Sequence, residues 1–231
     1  GQGGLFLASD MAKMLSLRPG MRVLDLGCGV GVTSIFLARE FGVNVHAVDA
    51  NVPDDLAARA ASAGAEGLVV PVRADARILP LESGFFDAIF SMNAFFYFGT
   101  DDLYPPYLMQ FLKPGGSIVI GCPCYREEIT PDMPEELLIE FPACLAVHSP
   151  DWWRNHFEKS RSAVVRHSAL HPRGVEFWED RMRFLLEEQT PRAMPEWKRA
   201  MIYASVRMLN RDTDGRVSHF MLHASKPPSS C

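Results

Sequence analysis

The chain has 231 residues, 48% of them hydrophobic and 22% charged, with a net charge of -5 at pH 7. That length suits one α/β domain with elaborations and a substantial core, and the composition is ordinary for a soluble globular protein. The acidic balance, with no basic stripe, argues against a nucleic-acid substrate held by phosphate contacts. No apolar run approaches the ~20 residues that span a bilayer, and the first residues lack the pattern of a secretory signal.

In chain order, residues 5–17 read as a helix with apolar positions at 5, 7, 11, 14, 15 and 17, stopped by Arg18-Pro19-Gly20. A strand follows at 22–26, then the glycine run Gly27-Cys28-Gly29-Val30-Gly31, then an amphipathic helix at 32–41. Residues 43–49 alternate with period 2, as a half-buried strand does. A helix at 53–63, a strand at 67–72, a strand at 85–92 and a helix at 104–112 come next. Lys113-Pro114-Gly115-Gly116 is expected to turn into a strand at 117–122. Strands and helices alternating at these intervals imply βαβ units and a parallel sheet.

Beyond 122 the alternation weakens. Prolines stand at 123, 131, 134, 142 and 150, with one short helix expected at 135–141. Ser149-Pro150-Asp151 is a helix start: Ser as N-cap, Pro at N1 and an acidic residue facing the dipole. A strand at 163–170, helices at 175–188 and 196–209, and a last strand at 216–224 complete the chain. Five cysteines, an odd number, give no disulfide framework. Cys122-Pro123-Cys124 is too tightly spaced for a C-x-x-C pair and reads as two small residues ending a strand. A reducing cytoplasm is the simplest setting.

The glycine run is the most specific signal. Glycine lets a backbone turn sharply and lie against a ligand, and strand, glycine turn and helix N-terminus form the nucleotide corner of a doubly wound sheet. A dinucleotide fingerprint needs G-x-G-x-x-G or G-x-G-x-x-A. Counted from Gly27 the third small residue falls on Val32, and from Gly29 on Ser34, so both registers fail. What stands here is Asp-x-Gly-x-Gly-x-Gly, beginning at Asp25.

That pattern resembles the first motif of the class I S-adenosylmethionine-dependent methyltransferases. Within that class the chain looks most like small-molecule enzymes of the ubiquinone/menaquinone and cyclopropane-fatty-acid-synthase-like groups. Phe86-Asp87-Ala88-Ile89-Phe90 and Leu112-Lys113-Pro114-Gly115-Gly116-Ser117 match the motifs around the fourth and fifth strands, so the resemblance covers residues 3–122. It implies a Rossmann-like, seven-stranded sheet with helices on both faces, an antiparallel last strand, and a single domain over 1–231. A helical cap would come from residues 1–17, 123–148 and 174–210.

The resemblance implies S-adenosylmethionine as cofactor, held by Asp25, Gly27, Cys28, Gly29 and Gly31. Asp25 would attract the cationic end. Asp49 closes the second strand where such folds grip ribose hydroxyls, with Ala50 and Asn51 beside it. Asp75 would accept from the adenine amino group, and Ala76 would meet the ring edge. Ser91 and Asn93, at the carboxyl end of the fourth strand, would lie near the methionine part or the substrate. Asp87 reads as structural.

Methyl transfer needs a protein base only if the nucleophile arrives protonated. Related sequences carry an Asp and a His in an S-x-D-x-x-H-Y-F-like arrangement; here Asn93 and Phe96 stand at those places, ahead of Tyr97-Phe98. The departure points to an apolar or aromatic pocket. Catalytic candidates are Tyr97 and His148, while Tyr125, Trp152, Trp153, Trp178 and Trp197 are substrate-side candidates for which core packing is the stronger reading. His167 and His171 are weaker candidates. No grouping has metal-ligand spacing.

The expected function is methylation of a small, partly apolar or aromatic molecule, with no nucleic-acid or membrane partner and a homo-oligomer left open. A non-methylating enzyme using the same sulfonium, or a silent cofactor-binding subunit, stays as the alternative.

Overall fold

The computed structural model describes residues 2–131, 146–187 and 215–228, together with Glu196, Tyr203 and Asp212. Strand β1 (Arg22–Leu26) is buried on both faces: Leu24 and Leu26 enter one hydrophobic core and Val23 the other. A central strand of a parallel sheet must be apolar on both sides, because helices cover both. Around it lie β2 (Asn44–Asp49), β3 (Val69–Arg73), β4 (Phe86–Met92), β5 (Leu112–Tyr125), β6 (Val164–Leu170) and β7 (Val217–Ser225).

The sheet has the order β3-β2-β1-β4-β5-β7-β6. Strands β1 to β5 pair in parallel, and β7 runs antiparallel to both β5 and β6. The chain leaves β1 for β2 on one side and returns to β4 on the other. The crevice beyond the carboxyl ends of β1 and β4 is therefore the switch point where ligands of such sheets bind.

The first core holds Leu24, Leu26, Phe95, Trp153 and Phe220, and the second holds Met11, Leu37, Val45, Phe177 and Met221. Helix α1 (Gln2–Lys13) packs on β5 and on α6 (Gly174–Glu187), while α5 (Pro150–Lys159) packs on β6 and β7. Three further helices are α2 (Val32–Phe41), α3 (Leu56–Ser62) and α4 (Tyr104–Met109). The α5 start follows its sequence signal: the Ser149 hydroxyl accepts the Trp152 N–H at 3.2 Å, with Pro150 at the first helical position.

Several boundaries differ from expectation. Helix α1 stops at Lys13, and Met14 and Leu15 close tighter turns onto the carbonyls of Met11 and Ala12. Residues 113–116 do not separate two elements but form an irregularity within β5, between the pairs Phe86–Leu112 and Ala88–Ser117. The strand also continues past 122 to Tyr125, because β7 supplies a partner for each residue up to Val217–Tyr125. Pairing with β4 ends at Gly121, so Pro123 lies where β5 is paired on its β7 side alone. Cys122 and Cys124 thus lie inside a strand, buried and unpaired. The helix expected at 135–141, and all but Glu196 and Tyr203 of that expected at 196–209, fall outside the described residues.

Candidate active site

The turn after β1 is held from beneath by the end of β2. Gly27 and Cys28 both donate their N–H groups to the Val48 carbonyl, at 2.8 and 3.0 Å, and Gly31 donates to Cys28 at 2.9 Å. All three glycines have left-handed backbones, but for different reasons. A Cβ on Gly27 would fall 2.3 Å from the Ala94 Cβ, so that glycine admits the post-β4 loop. A Cβ on Gly29 would meet nothing within 4 Å, so that position faces open space over the crevice.

Asp49 binds this turn to its own. One carboxylate oxygen accepts the Gly29 N–H and the other the Asn51 N–H, each at 2.9 Å. Each oxygen keeps a further lone pair, which suits a diol presented in front of Gly29. Ala50 and Asn51 are exposed beside it. Asp25 lies deeper, 1% exposed, and takes the Ser34 hydroxyl at 2.6 Å. Burial pushes its carboxyl up to about 7, with the charge of Asp49 adding to the shift and Ser34 opposing it. A nearby cation would therefore decide whether Asp25 is charged at neutral pH. The Cys28 thiol is pushed upward by burial and by both carboxylates, so it stays protonated.

Asp75 is exposed and grips Arg77 through both oxygens, at 3.0 and 2.7 Å, which holds its carboxyl down to about 2. The Ala76 carbonyl accepts the Tyr104 hydroxyl at 3.0 Å, fixing this loop over α4. Asp87 is structural: it accepts the Arg22 N–H at 2.8 Å and the Lys113 ammonium at 2.5 Å. Ser91 is fully buried and donates to the Leu26 carbonyl at 2.8 Å, so its hydroxyl joins β4 to β1.

Asn93 has a positive φ of 55° and donates its N–H to Gly121 at 2.7 Å. Its side chain meets His219, a residue missing from the sequence candidates. His219 is 1% exposed, with Nδ1 2.9 Å from the Gly174 carbonyl and Nε2 3.1 Å from the Asn93 amide. Nδ1 faces a carbonyl and so donates to it, while Nε2 faces the Asn93 side-chain oxygen, which ties β7 to the loop after β4. The sequence signal was weak, because β7 carries a second histidine, His223, four positions on.

The aromatic residues divide. Trp153 and Tyr125 are core, at 0% and 1% exposure. Tyr97 is exposed on a single 3-10 turn, Phe95–Tyr97, its ring 4.1 Å from Phe96. His148 stacks on Trp152 at 3.7 Å and places Nδ1 2.6 Å from Glu128, a second residue the sequence did not single out. His171 ties α1 to β6 through Asp10 at 3.1 Å, and His167 lies opposite His223 on β7. Trp197 and the Trp178 side chain fall outside the described residues. Among the described residues, no three His, Cys, Asp or Glu side chains are grouped to hold a metal ion.

The family described as a methyltransferase domain matches residues 23–116, from β1 through the glycine turn to the β5 irregularity. Over that stretch the chain is similar to a methyltransferase domain. The chain is 29% identical over 122 residues to phosphoethanolamine N-methyltransferase 1 of Zea mays, covering 53% of this chain and 24% of that protein. It is 30% identical over 141 residues to the chloroplastic tocopherol O-methyltransferase of Arabidopsis thaliana, covering 57% of this chain and 39% of that protein. The chain thus matches well under half the length of these relatives. The methyltransferase fold also aligns with a putative sarcosine dimethylglycine methyltransferase from Galdieria sulphuraria. That alignment has a TM-score of 0.75 at 21% identity, over 98% of this chain and 86% of the other.

Proposed function

We propose that this protein transfers a methyl group from S-adenosylmethionine to a small, partly apolar or aromatic acceptor by in-line displacement. The observation that carries the reading is Asp49 braced between the N–H groups of Gly29 and Asn51, in front of the open space at Gly29. Asp49 would take the ribose hydroxyls. Gly27, Cys28, Gly29 and Gly31 would line the cofactor, Ala50 and Asn51 its ribose side, and Asp75 and Ala76 the adenine. Asp25 would neutralise the cationic end, and Ser91 and Asn93 would border the methionine part. When bound, the cofactor supplies an activated methyl on sulfonium; the protein contributes alignment and exclusion of water.

On the acceptor side Phe96 and Tyr97 follow β4 and Trp152 stacks on His148 at the start of α5, with Tyr97 and His148 as the catalytic candidates. Relatives named for methylating phosphoethanolamine and tocopherol support a small-molecule acceptor. The free thiols of Cys28, Cys122 and Cys124 support a reducing, cytoplasmic setting, and no helix among the described residues is long and apolar enough to cross a membrane. The single domain, with its cap from residues 1–17, 123–148 and 174–210, belongs to the same reading, and a homo-oligomer is compatible with it. Calorimetry with S-adenosylmethionine and S-adenosylhomocysteine tests the proposal. Saturable binding of both ligands is expected; absence of binding at high micromolar ligand overturns it.

A further inference from the structure

Three features near the end of β5 converge on one side chain. Glu128, three residues beyond Tyr125, points one carboxylate oxygen at His148 Nδ1, 2.6 Å away, and the other at the Ser149 N–H, 3.0 Å away. The imidazole lies flat on Trp152, with ring centroids 3.7 Å apart and planes 8° apart. The hydrogen bond of the His148 ring to a described residue is made at Nδ1, and the side chain keeps 18% exposure.

We propose that Glu128 is a positioning residue that locks His148 as the Nδ1–H tautomer, presenting Nε2 as the proton acceptor for a hydroxyl or ammonium methyl acceptor. A carboxylate accepts only, so Nδ1 facing it must donate. The ten-residue helix α5 begins at Pro150, and its dipole stabilises the Glu128 charge. Trp152 fixes the ring plane and gives a π face to the imidazolium that forms. Of the other buried histidines nearby, His156, which also stacks on Trp152, meets the Gly99 carbonyl with Nε2 at 2.9 Å, and its Nδ1 is buried without a hydrogen bond among the described residues. His171 accepts the Arg173 N–H at Nδ1 and faces Asp10 at Nε2, and His219 is engaged at both nitrogens. During transfer the acceptor's lone pair takes the methyl carbon, the carbon–sulfur bond leaves its pair on sulfur, and the acceptor's proton passes to Nε2 and then to solvent. This deepens the methyltransferase reading and rests on it for the reaction, but the tautomer can be measured on the protein alone.

Glu128→Gln gives a sharp test. Its amide has one acceptor oxygen, which the fixed Ser149 N–H requires; the NH2 then faces Nδ1 and drives the ring proton to Nε2. Long-range proton–nitrogen correlation spectra of histidine-labelled full-length protein read the tautomer, with His148→Gln assigning the signal. Wild type is expected as Nδ1–H and the Glu128→Gln variant as Nε2–H. Diethyl pyrocarbonate modification of His148, mapped by mass spectrometry, should fall at least fivefold in the variant. An Nε2–H or mixed tautomer in wild type overturns the proposal, as does an unchanged tautomer in a folded variant. If the variant does not fold, the wild-type spectrum decides. Calorimetry of wild type with S-adenosylhomocysteine reports separately on the methyl-donor reading.

Discussion

Replacing Asp25 with Asn isolates the consequence of burying a carboxylate under the glycine turn. Asp25 is 1% exposed and its carboxyl is raised to about 7 from 3.8. Between those values the folded protein holds a proton that the unfolded chain has released, so stability falls as pH rises toward 7 and levels off above it. Integrated from pH 5 to pH 8, wild type should lose about 3 kcal/mol relative to Asp25→Asn, which cannot ionise. For a domain of this size that difference is about 5–10 °C in Tm. Comparing the change with pH in each protein cancels the fixed cost of the Asn amide opposite Ser34. Thermal melts of both proteins at pH 5, 6, 7 and 8 provide the assay. Parallel Tm profiles would refute the reasoning, because they would mean that Asp25 ionises alike in folded and unfolded chains. The same carboxyl predicts that S-adenosylmethionine binding near pH 6.5 releases a proton, visible as a buffer-dependent calorimetric heat.

Asp49→Ala should weaken S-adenosylhomocysteine binding about tenfold or more, since it removes a charged acceptor shared by two backbone N–H groups and the ribose; unchanged affinity would refute the ribose role. Gly27→Ala combines a left-handed backbone with a Cβ 2.3 Å from that of Ala94, and should cost about 2–4 kcal/mol in denaturant melts. Trp153→Ala empties a fully buried site against Phe95 and Phe220 and should cost about 3–5 kcal/mol. A smaller loss would mean that the α5 side of the core repacks.

Local patterns were legible because each is decided within a few residues. Strand β1, helix α2 and the α5 cap depend on apolar alternation, glycine placement and a Ser-Pro start, and they fall where those signals lie. The extent of β5 was not legible. Residues 123–125 contain a proline and extend only because β7, about ninety positions later, supplies their partners. The paired groups His148–Glu128 and Asn93–His219 were hidden for the same reason: their members are 20 and 126 positions apart, and nothing local couples them.

The sequence by itself determined the nucleotide corner. The spacing of Gly27, Gly29 and Gly31 and the acidic residues at 25 and 49 are properties of consecutive turns at strand ends. Only the tertiary structure decided what those residues do to one another. It made Asp25 a buried acid, gave Gly27 and Gly29 different tasks, and aimed Glu128 at His148, because burial and long-range contact set charge and tautomer.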